Sequence, residues 1–159
     1  MTLRERLQTE TTAAMRSGDT LRRDVLRMAQ NAIYNAEKAK RQPLSEDEVL
    51  SLVTREVKTR RESVEAFRAG GREDLASKEE AEIAILREFL PESLSDDELR
   101  QLVDEAIAAT GASSPRDLGK VMGWLSPRTR NRADGKVVSG MVAQALASAD
   151  LVAHDTGHG

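Results

Sequence analysis

The sequence predicts an all-α protein with an N-terminal bundle of about four helices and a small three-helix C-terminal domain. Ala, Leu, Glu and Arg dominate the composition, while aromatic residues make up only 3%, and this balance favours helices with aliphatic cores. Apolar residues recur at helical spacing in every long segment. No segment shows the strict alternation of apolar and polar residues that indicates a strand.

The N-terminal domain is predicted over residues 1–92. Thr2 with Glu5, and Ser45 with Glu48, have the spacing of capping boxes, which satisfy free backbone amides at the start of a helix. The predicted ends of the first four helices are marked by Gly18, Pro43, the pair Gly70 and Gly71, and Pro91. Glycine ends a helix by accepting a left-handed backbone, and proline cannot continue one.

Each long helix of this domain carries one apolar stripe. The stripe of the second helix is predicted to contain Leu21, Val25, Met28, Ala29, Ala32 and Ala36. The stripe of the third helix contains Val49, Val53, Val57, Val64 and Phe67. The stripe of the fourth helix contains Leu75, Ile83, Leu86 and Leu90. These stripes are expected to form the core of the bundle.

Two charged residues interrupt these stripes. Arg60 falls in the middle of the third stripe, and Glu79 falls within the fourth. A buried charge without a partner is very costly. Because the glycines at 70–71 fold the two helices antiparallel, Arg60 and Glu79 are expected at similar heights. We therefore predict a structural ion pair between Arg60 and Glu79, with Glu82 as the alternate partner.

The C-terminal domain is predicted over residues 93–149, after a hinge near residues 91–94. Ser95 and Glu98 cap the fifth helix, and Gly111 ends it. The sixth helix starts with proline at its first helical position, and a loop over residues 126–133 leads to Asp134, the predicted cap of the seventh. Residues 150–159 lose the helical period and are predicted to be a disordered tail.

Composition excludes several classes of protein. The 159-residue chain has a formal net charge of −3 and no cysteine, which excludes disulfide and thiolate chemistry and fits a reducing, cytoplasmic location. No segment is apolar over the length needed to cross a bilayer, so no membrane association is expected. The mild acidity argues against a protein that coats nucleic acid, although it allows one local basic site.

The residue pattern predicts a non-catalytic protein that needs neither a cofactor nor a metal. The only histidines, His154 and His158, lie in the tail, where a general base would have no scaffold. Glu79, Glu80 and Glu82 crowd one helical turn, but no His or Cys accompanies them. The glycine-rich signatures that cradle phosphates are absent.

The segment with the clearest functional signal is the basic stretch Arg116–Lys136. It carries six basic and two acidic residues, hence a local charge of +4 in an acidic chain. Its candidate RNA-binding residues are Lys120, Trp124, Arg128, Arg130, Arg132 and Lys136. The three arginines are predicted to alternate through the loop between the sixth and seventh helices, and a polyanion is the natural partner of such a stretch.

Lys120 and Trp124 are four residues apart on the sixth helix. This spacing places an exposed aromatic ring beside a cation, the combination that stacks a base and holds its phosphate. The alternative is that Trp124 packs against the N-terminal bundle and that the arginines are merely solvated.

Gly119 and Gly123 lie on one face of the sixth helix and leave a strip bare of side chains. Each glycine costs the helix about 1 kcal/mol relative to Ala, which close approach by another group would offset. We expect the fifth or seventh helix of the same domain to pack closely against these glycines. The alternative is that a phosphate backbone or a helix of a partner protein does so.

Two long motifs make the chain resemble the GatB/YqeY family. They are KTRRESVEAFRAGGREDLASKEEAEIAILREFLPESLSDDEL and GKVMGWLSPRTRNRADGKVV, and the resemblance extends to about Leu146. Two positions depart from the family pattern, since Leu118 stands where methionine is common and Asn131 where glycine is common. Leucine keeps the apolar role, and asparagine accepts a left-handed backbone more readily than most residues.

The resemblance implies a small all-helical protein of two domains. Its C-terminal part is similar to the tail domain of the B subunit of tRNA-dependent amidotransferases, which implies a link to tRNA. It does not imply amide transfer, because the domain that houses that chemistry has no counterpart in this chain.

Three functions remain open from the sequence. In the first, the C-terminal domain binds tRNA or a tRNA-like RNA. In the second, the protein is a helical interaction module that docks on amidotransferase or aminoacyl-tRNA synthetase components, the machinery of tRNA amidation and aminoacylation. In the third, which rests on family association alone, it is an accessory to carbon–nitrogen ligase activity with glutamine as amido-N-donor.

Overall fold

The computed structural model of the protein describes the backbone of residues 1–156 and the side chains of residues 1–152. Within this part, the chain forms seven α-helices and one 3-10 turn and contains no strand, which confirms the all-α prediction. The helices are α1 (Leu3–Ser17), α2 (Thr20–Lys40), α3 (Glu46–Ala69), α4 (Glu73–Arg87), α5 (Asp96–Thr110), α6 (Leu118–Thr129) and α7 (Gly135–Thr156), and the 3-10 turn is Pro115–Asp117.

Contacts divide the chain into two compact units, unit 1 over Met1–Pro91 and unit 2 from Glu92 onward. In unit 1, α1 packs chiefly against α2, and α3 packs against α4. Both predicted capping boxes are present, since the Glu5 N–H donates to the Thr2 hydroxyl at 3.1 Å and the Glu48 N–H donates to the Ser45 hydroxyl at 3.1 Å. The centre of the unit is an aliphatic core that includes Leu7, Leu26, Val49, Val53 and Leu86.

The buried face of α2 differs from the predicted stripe. Leu26 and Ile33 are buried, whereas Met28 is 53% exposed. The reason is tertiary, because α2 contacts α1, α3 and α4 and its inward face follows these three neighbours. The helix also ends at Lys40, before the predicted stop at Pro43, because Arg41 adopts a left-handed backbone with φ 59.

A buried ion pair joins α3 to α4. Arg60 is 7% exposed, and its Nη1 donates to the carboxylate of Glu82, which is 8% exposed. The Glu79 carboxylate lies 3.4 Å from the same nitrogen but is only half-buried. The sequence ranked Glu79 first and Glu82 second. The structure has Arg60 at both carboxylates, with Glu82 as the closer and more deeply buried partner.

Unit 2 is built from α5, α6 and α7. Its core consists of Leu99, Val103, Ala106, Val121, Leu125, Val138, Val142 and Leu146. The Ser95 hydroxyl caps α5, and Gly111 ends it with φ 68. Ser114 opens the 3-10 turn with Pro115 at its first position, and this turn leads directly into α6. The start and end of α5 agree with the sequence prediction, whereas α6 begins at Leu118, after the 3-10 turn, and not at Pro115 as predicted.

The predicted loop over residues 126–133 is shorter than expected, because α6 continues to Thr129 and contains Pro127. Proline has no N–H to donate to the carbonyl of Gly123, one turn earlier. Burial of Leu125 and Thr129 and the bond from the Arg130 N–H to the Ser126 carbonyl at 3.0 Å hold the last turn helical.

The predicted disordered tail is also corrected in part, because α7 continues to Thr156. No glycine or proline interrupts the chain between Gly140 and Gly157, so nothing in the residue pattern stops the helix. Leu151 is 70% exposed, which shows that the helix extends past its core. Residues 157–159, with His158, and the side chain of His154 lie outside the described residues.

Candidate nucleic-acid interface

The centre of the basic stretch is a ridge on α6 formed by Lys120, Trp124 and Arg128. Their spacing of four residues aligns them along one side of the helix. The Arg128 guanidinium carbon lies 3.6 Å from the centroid of the Trp124 ring. Nη1 of Arg128 also donates to the Trp124 carbonyl at 2.6 Å. The cation that covers the ring is therefore Arg128, whereas the sequence pointed to Lys120.

Trp124 is less available than the sequence suggested. Its side chain is partly buried and packs against the core of unit 2, so the prediction of an exposed ring is wrong. Arg128 is exposed and lies on the ring, which holds the guanidinium plane in place through a cation–π contact. The group presented to solvent is therefore the guanidinium of Arg128, which can stack on a base or bind a phosphate. The pattern that could have revealed this contact is the i, i+4 spacing of Trp124 and Arg128.

The other candidate residues divide into two groups. Arg130, directly after α6, and Lys136, in the first turn of α7, are both exposed. Arg132 is half-buried, its Nε donates to the Glu92 carbonyl at 3.2 Å, and its own carbonyl accepts from the Leu94 N–H at 2.9 Å. Arg132 therefore fastens the turn after α6 to the first residues of unit 2, and we assign it a structural role.

The exposed cations of this surface are not neutralised within the described residues. No carboxylate lies within the 4.0 Å of an ion pair to Lys120, Arg130 or Lys136 there. Asp117, the acid nearest to Lys120 in sequence, accepts from the backbone N–H groups of Ser113 and Ser114, which lower its pKa, and the charge of Lys120 adds to this effect. The stabilisation from Asp117 is thus complete above its ordinary pKa and is lost only as the pH falls through the lowered value.

The strip formed by Gly119 and Gly123 lies beside the cationic ridge and is exposed. A Cβ atom added to either glycine would meet no described atom within 4 Å. The expected close approach of the fifth or seventh helix is therefore wrong. The surface of α6 is thus flat and open along the strip, with the Lys120–Trp124–Arg128 ridge next to it.

Replacing both strip glycines by alanine is expected to stabilise unit 2. The backbone at these two positions is helical and unobstructed, so each change should add about 0.5–1 kcal/mol to the free energy of unfolding. Urea unfolding followed by the fluorescence of Trp124, the only tryptophan, measures this gain. Destabilisation by the double variant would show that a neighbour needs the bare strip.

Unit 1 has a cavity of 290 Å³ at the end where α1, α3 and the residues after α4 meet. Its walls are mostly apolar, with Leu3, Leu50, Phe89, Leu90 and Pro91 among the lining residues. The two charged side chains have structural contacts, since Glu46 accepts from the Leu3 N–H at 2.6 Å and the Arg6 guanidinium carbon lies 5.1 Å from the centroid of the Phe89 ring. We therefore assign the cavity no chemistry.

Comparison with known proteins identifies the family. The family described as Yqey-like protein matches residues 4–146, almost the whole chain. The protein belongs to the YqeY-like family. The resemblance to GatB/YqeY proteins seen in the two motifs is thereby confirmed, and the ridge and the glycine strip both fall within the part of the chain that matches the family.

Two other proteins are similar in sequence to this YqeY-like chain. Altered inheritance of mitochondria protein 41, mitochondrial, from Pyrenophora tritici-repentis is 30% identical over 144 residues, covering 89% of this chain and 79% of that protein. An uncharacterized protein of Schizosaccharomyces pombe is 37% identical over 71 residues, covering 45% of this chain and 58% of that protein. The first name assigns a mitochondrial protein, so the cytoplasmic location of this chain stays a prediction.

No helix among residues 1–156 is both long and apolar enough to cross a bilayer. The described Asp and Glu side chains form no group of three or more placed to hold a metal ion.

Proposed function

We propose that unit 2 of this YqeY-like protein binds tRNA or a tRNA-like RNA through the ridge of Lys120, Trp124 and Arg128. The observation that carries the proposal is that Arg128 is exposed while its guanidinium carbon lies over the Trp124 ring, 3.6 Å from the centroid. A cation already fixed in place loses little conformational entropy when it binds a planar base or a phosphate.

The surroundings of the ridge support the same partner. Lys120 and Arg130 add exposed positive charge without carboxylates in ion-pair range among the described residues. The bare strip at Gly119 and Gly123 lets a sugar–phosphate backbone approach the helix more closely than a helix with side chains would allow. Contacts of this kind would be mainly to phosphates, which position an RNA without reading its sequence.

The glycine strip also favours a second candidate, an interaction module for amidotransferase or synthetase components. Small residues allow a partner helix to approach closely, as in helix pairs packed through glycine. This module would bury the strip against apolar side chains and would not need the cations. An accessory role in carbon–nitrogen ligase activity has no structural observation in its favour and rests on the family resemblance.

Binding to bulk tRNA at several salt concentrations tests the RNA proposal. Counterion release predicts a linear fall of log K with log salt, with a slope of roughly −0.7 per phosphate on single strands and −0.9 on duplex. We expect the basic variant, Lys120→Gln with Arg130→Gln and Lys136→Gln, to reduce the steepness of that slope by up to about three units. Arg132 is left unchanged because it donates to the Glu92 carbonyl, and Arg128 is replaced in a separate variant because it also contacts the Trp124 ring.

The matched control, which we name the charge control, is Lys78→Gln with Arg87→Gln and Arg100→Gln. It removes the same number of charges from exposed positions on α4 and α5, and its slope should stay close to that of the unmodified protein. Equal effects of the basic variant and the charge control would mean that the RNA is attracted by the positive charges of the protein in general and not by a site in unit 2. A protein that shows no salt-sensitive tRNA binding, yet copurifies with a stoichiometric protein partner, would replace the RNA proposal by the interaction module.

A further inference from the structure

The exposed face of α2 carries an aromatic ring in a row of cations. Tyr34, the only tyrosine of the chain, is 64% exposed in the second half of the helix. Arg27 lies seven residues before it and Lys38 four residues after it, so all three share one side of the helix. Arg41 follows directly after the last turn and is also exposed.

The fold neutralises the other cations of α2 but not this row. Arg22 pairs with Glu10 at 3.0 Å and with Glu88 at 2.6 Å, and Lys40 pairs with Glu48. Lys38 and Arg41, by contrast, have no partner among the described residues.

The two remaining cations of α2, Arg23 and Arg27, differ in the same way. Arg23 pairs with Asp24 at 2.9 Å. The contact found for Arg27 among the described residues is a bond to the sulfur of Met15 at 3.4 Å. The result is a line of free positive charge on an otherwise ion-paired helix.

The helix dipole explains only part of this arrangement. Cations near a helix C-terminus are stabilised by the partial negative charge there, and this accounts for Lys38 and Arg41. The effect fades within one turn, so it does not reach Arg27. It also gives no reason for an exposed ring at Tyr34, which has the polar amides of Asn31 and Asn35 as its neighbours on the surface. An apolar ring in water and an unpaired arginine both gain from a ligand that offers flat faces and negative charge.

We infer that this face of α2 is a second RNA contact surface, in which Tyr34 stacks on an unpaired base and the row of cations holds the flanking phosphates. The inference rests on the proposed function for the identity of the ligand as RNA. From Arg27 to Arg41 the helix rises about 21 Å, which is long enough for a segment of several nucleotides. Alternation of an aromatic platform with backbone-binding cations is the way proteins bind single strands without reading their sequence.

The ring decides between RNA and an acidic protein. A stretch of Asp and Glu would pair with the cations but would leave Tyr34 exposed to water. A single-stranded RNA satisfies the cations with its phosphates and covers the ring with a base. We therefore expect the preferred ligand to be a loop or an unpaired end, in which bases are free to stack.

The test uses the full chain, with bulk tRNA and single-stranded oligouridylate as probes. The α2 variant is Arg27→Gln with Lys38→Gln and Arg41→Gln. It should reduce the steepness of the salt slope by about two to three units, while the charge control defined above should not. Each of the three positions is exposed, and circular dichroism verifies that the helices stay intact.

The ring is tested separately from the charges. Tyr34→Ala should weaken binding of oligouridylate by about tenfold and leave the salt slope unchanged, because stacking releases no counterions. Tyr34→Phe keeps the aromatic face and should restore the affinity. A loss in Tyr34→Phe equal to that in Tyr34→Ala would overturn the stacking role.

The outcomes separate this inference from the proposed function. If the basic variant weakens binding and the α2 variant behaves like the charge control, the second surface is overturned and the ridge in unit 2 stands. If the α2 variant weakens binding while neither the basic variant nor Arg128→Gln does, the second surface stands and the ridge is overturned. Absence of salt-sensitive binding to either probe overturns both. If polyglutamate competes for binding as strongly as oligouridylate does, the ligand of the α2 surface is an acidic protein and not RNA.

Discussion

Arg60→Ala is expected to lower the free energy of unfolding of unit 1 by about 3–5 kcal/mol. The reason is that Glu82, which is 8% exposed, would keep a buried negative charge without its counter-charge. A loss of this size is a large part of the 5–15 kcal/mol that stabilises a typical domain. Urea unfolding followed by far-UV circular dichroism measures it. Trp124 fluorescence reports on unit 2 in the same experiment.

The neighbouring arginine provides the control. Arg61→Ala removes an equal charge from an exposed position on α3, and because interactions of an exposed charge contribute at most about 1 kcal/mol, its loss should be clearly smaller than that of Arg60→Ala. Similar small effects of Arg60→Ala and Arg61→Ala would mean that Arg60 is solvated. The double replacement Arg60→Met with Glu82→Leu should recover most of the loss, because apolar side chains of similar volume often replace a buried pair without cost. Arg60 Nε, which is buried without a hydrogen-bond partner, supports this expectation.

Trp124→Ala is expected to destabilise unit 2 by roughly 2 kcal/mol, less than the 3–5 kcal/mol lost when a fully buried tryptophan is truncated. The ring is partly buried against the core and supports the guanidinium of Arg128. Its loss removes apolar contacts and frees Arg128 to move, so the RNA affinity should fall as well. Amide hydrogen exchange of α6 and α7 measures the change, since fluorescence is lost with the only tryptophan.

Two further variants separate packing from binding. Trp124→Phe should recover a large part of the stability, because a smaller aromatic ring still packs on the core and still carries a cation. Arg128→Gln should leave hydrogen exchange close to that of the unmodified protein and weaken tRNA binding. If Trp124→Ala leaves exchange in α6 unchanged, the ring is not part of the core of unit 2.

Local signals explain why the capped helix starts and the ends marked by glycine could be read from the sequence. The ends of α2, α6 and α7 were not predicted correctly, and α4 ends at Arg87 instead of continuing to Pro91. A capping box such as Thr2 with Glu5 satisfies backbone groups within a single turn, so no tertiary contact is needed to recognise it. The turns at Gly111 and Asn131 can likewise be recognised from the local sequence. Gly111 has φ 68 and Asn131 has φ 64, and both residue types tolerate this left-handed backbone.

For the candidate interface, the sequence predicted the position of the basic stretch but not which of its cations are free to bind a ligand. The excess of basic residues between Arg116 and Lys136 is a property of composition, so the stretch could be located from the sequence. Which cations are free is decided by the atoms around them. Arg132 donates to the Glu92 carbonyl, forty residues away in the chain, and no local pattern indicates such a contact.

The sequence by itself determined the number of helices, the capping boxes at the starts of α1 and α3, and the family, because each of these depends on residues close together in the chain. Tertiary structure decided which face each helix buries and which charges are paired. The α2 stripe was misjudged because contacts with three other helices turn Leu26 and Ile33 inward and leave Met28 exposed. Glu82 outranks Glu79 as the partner of Arg60 for a similar reason, since the packing of α3 on α4 buries one carboxylate more deeply than the other. Which residues are buried depends on how the helices pack together. The helical period of the apolar residues fixes the direction of the buried face only to within a fraction of a turn.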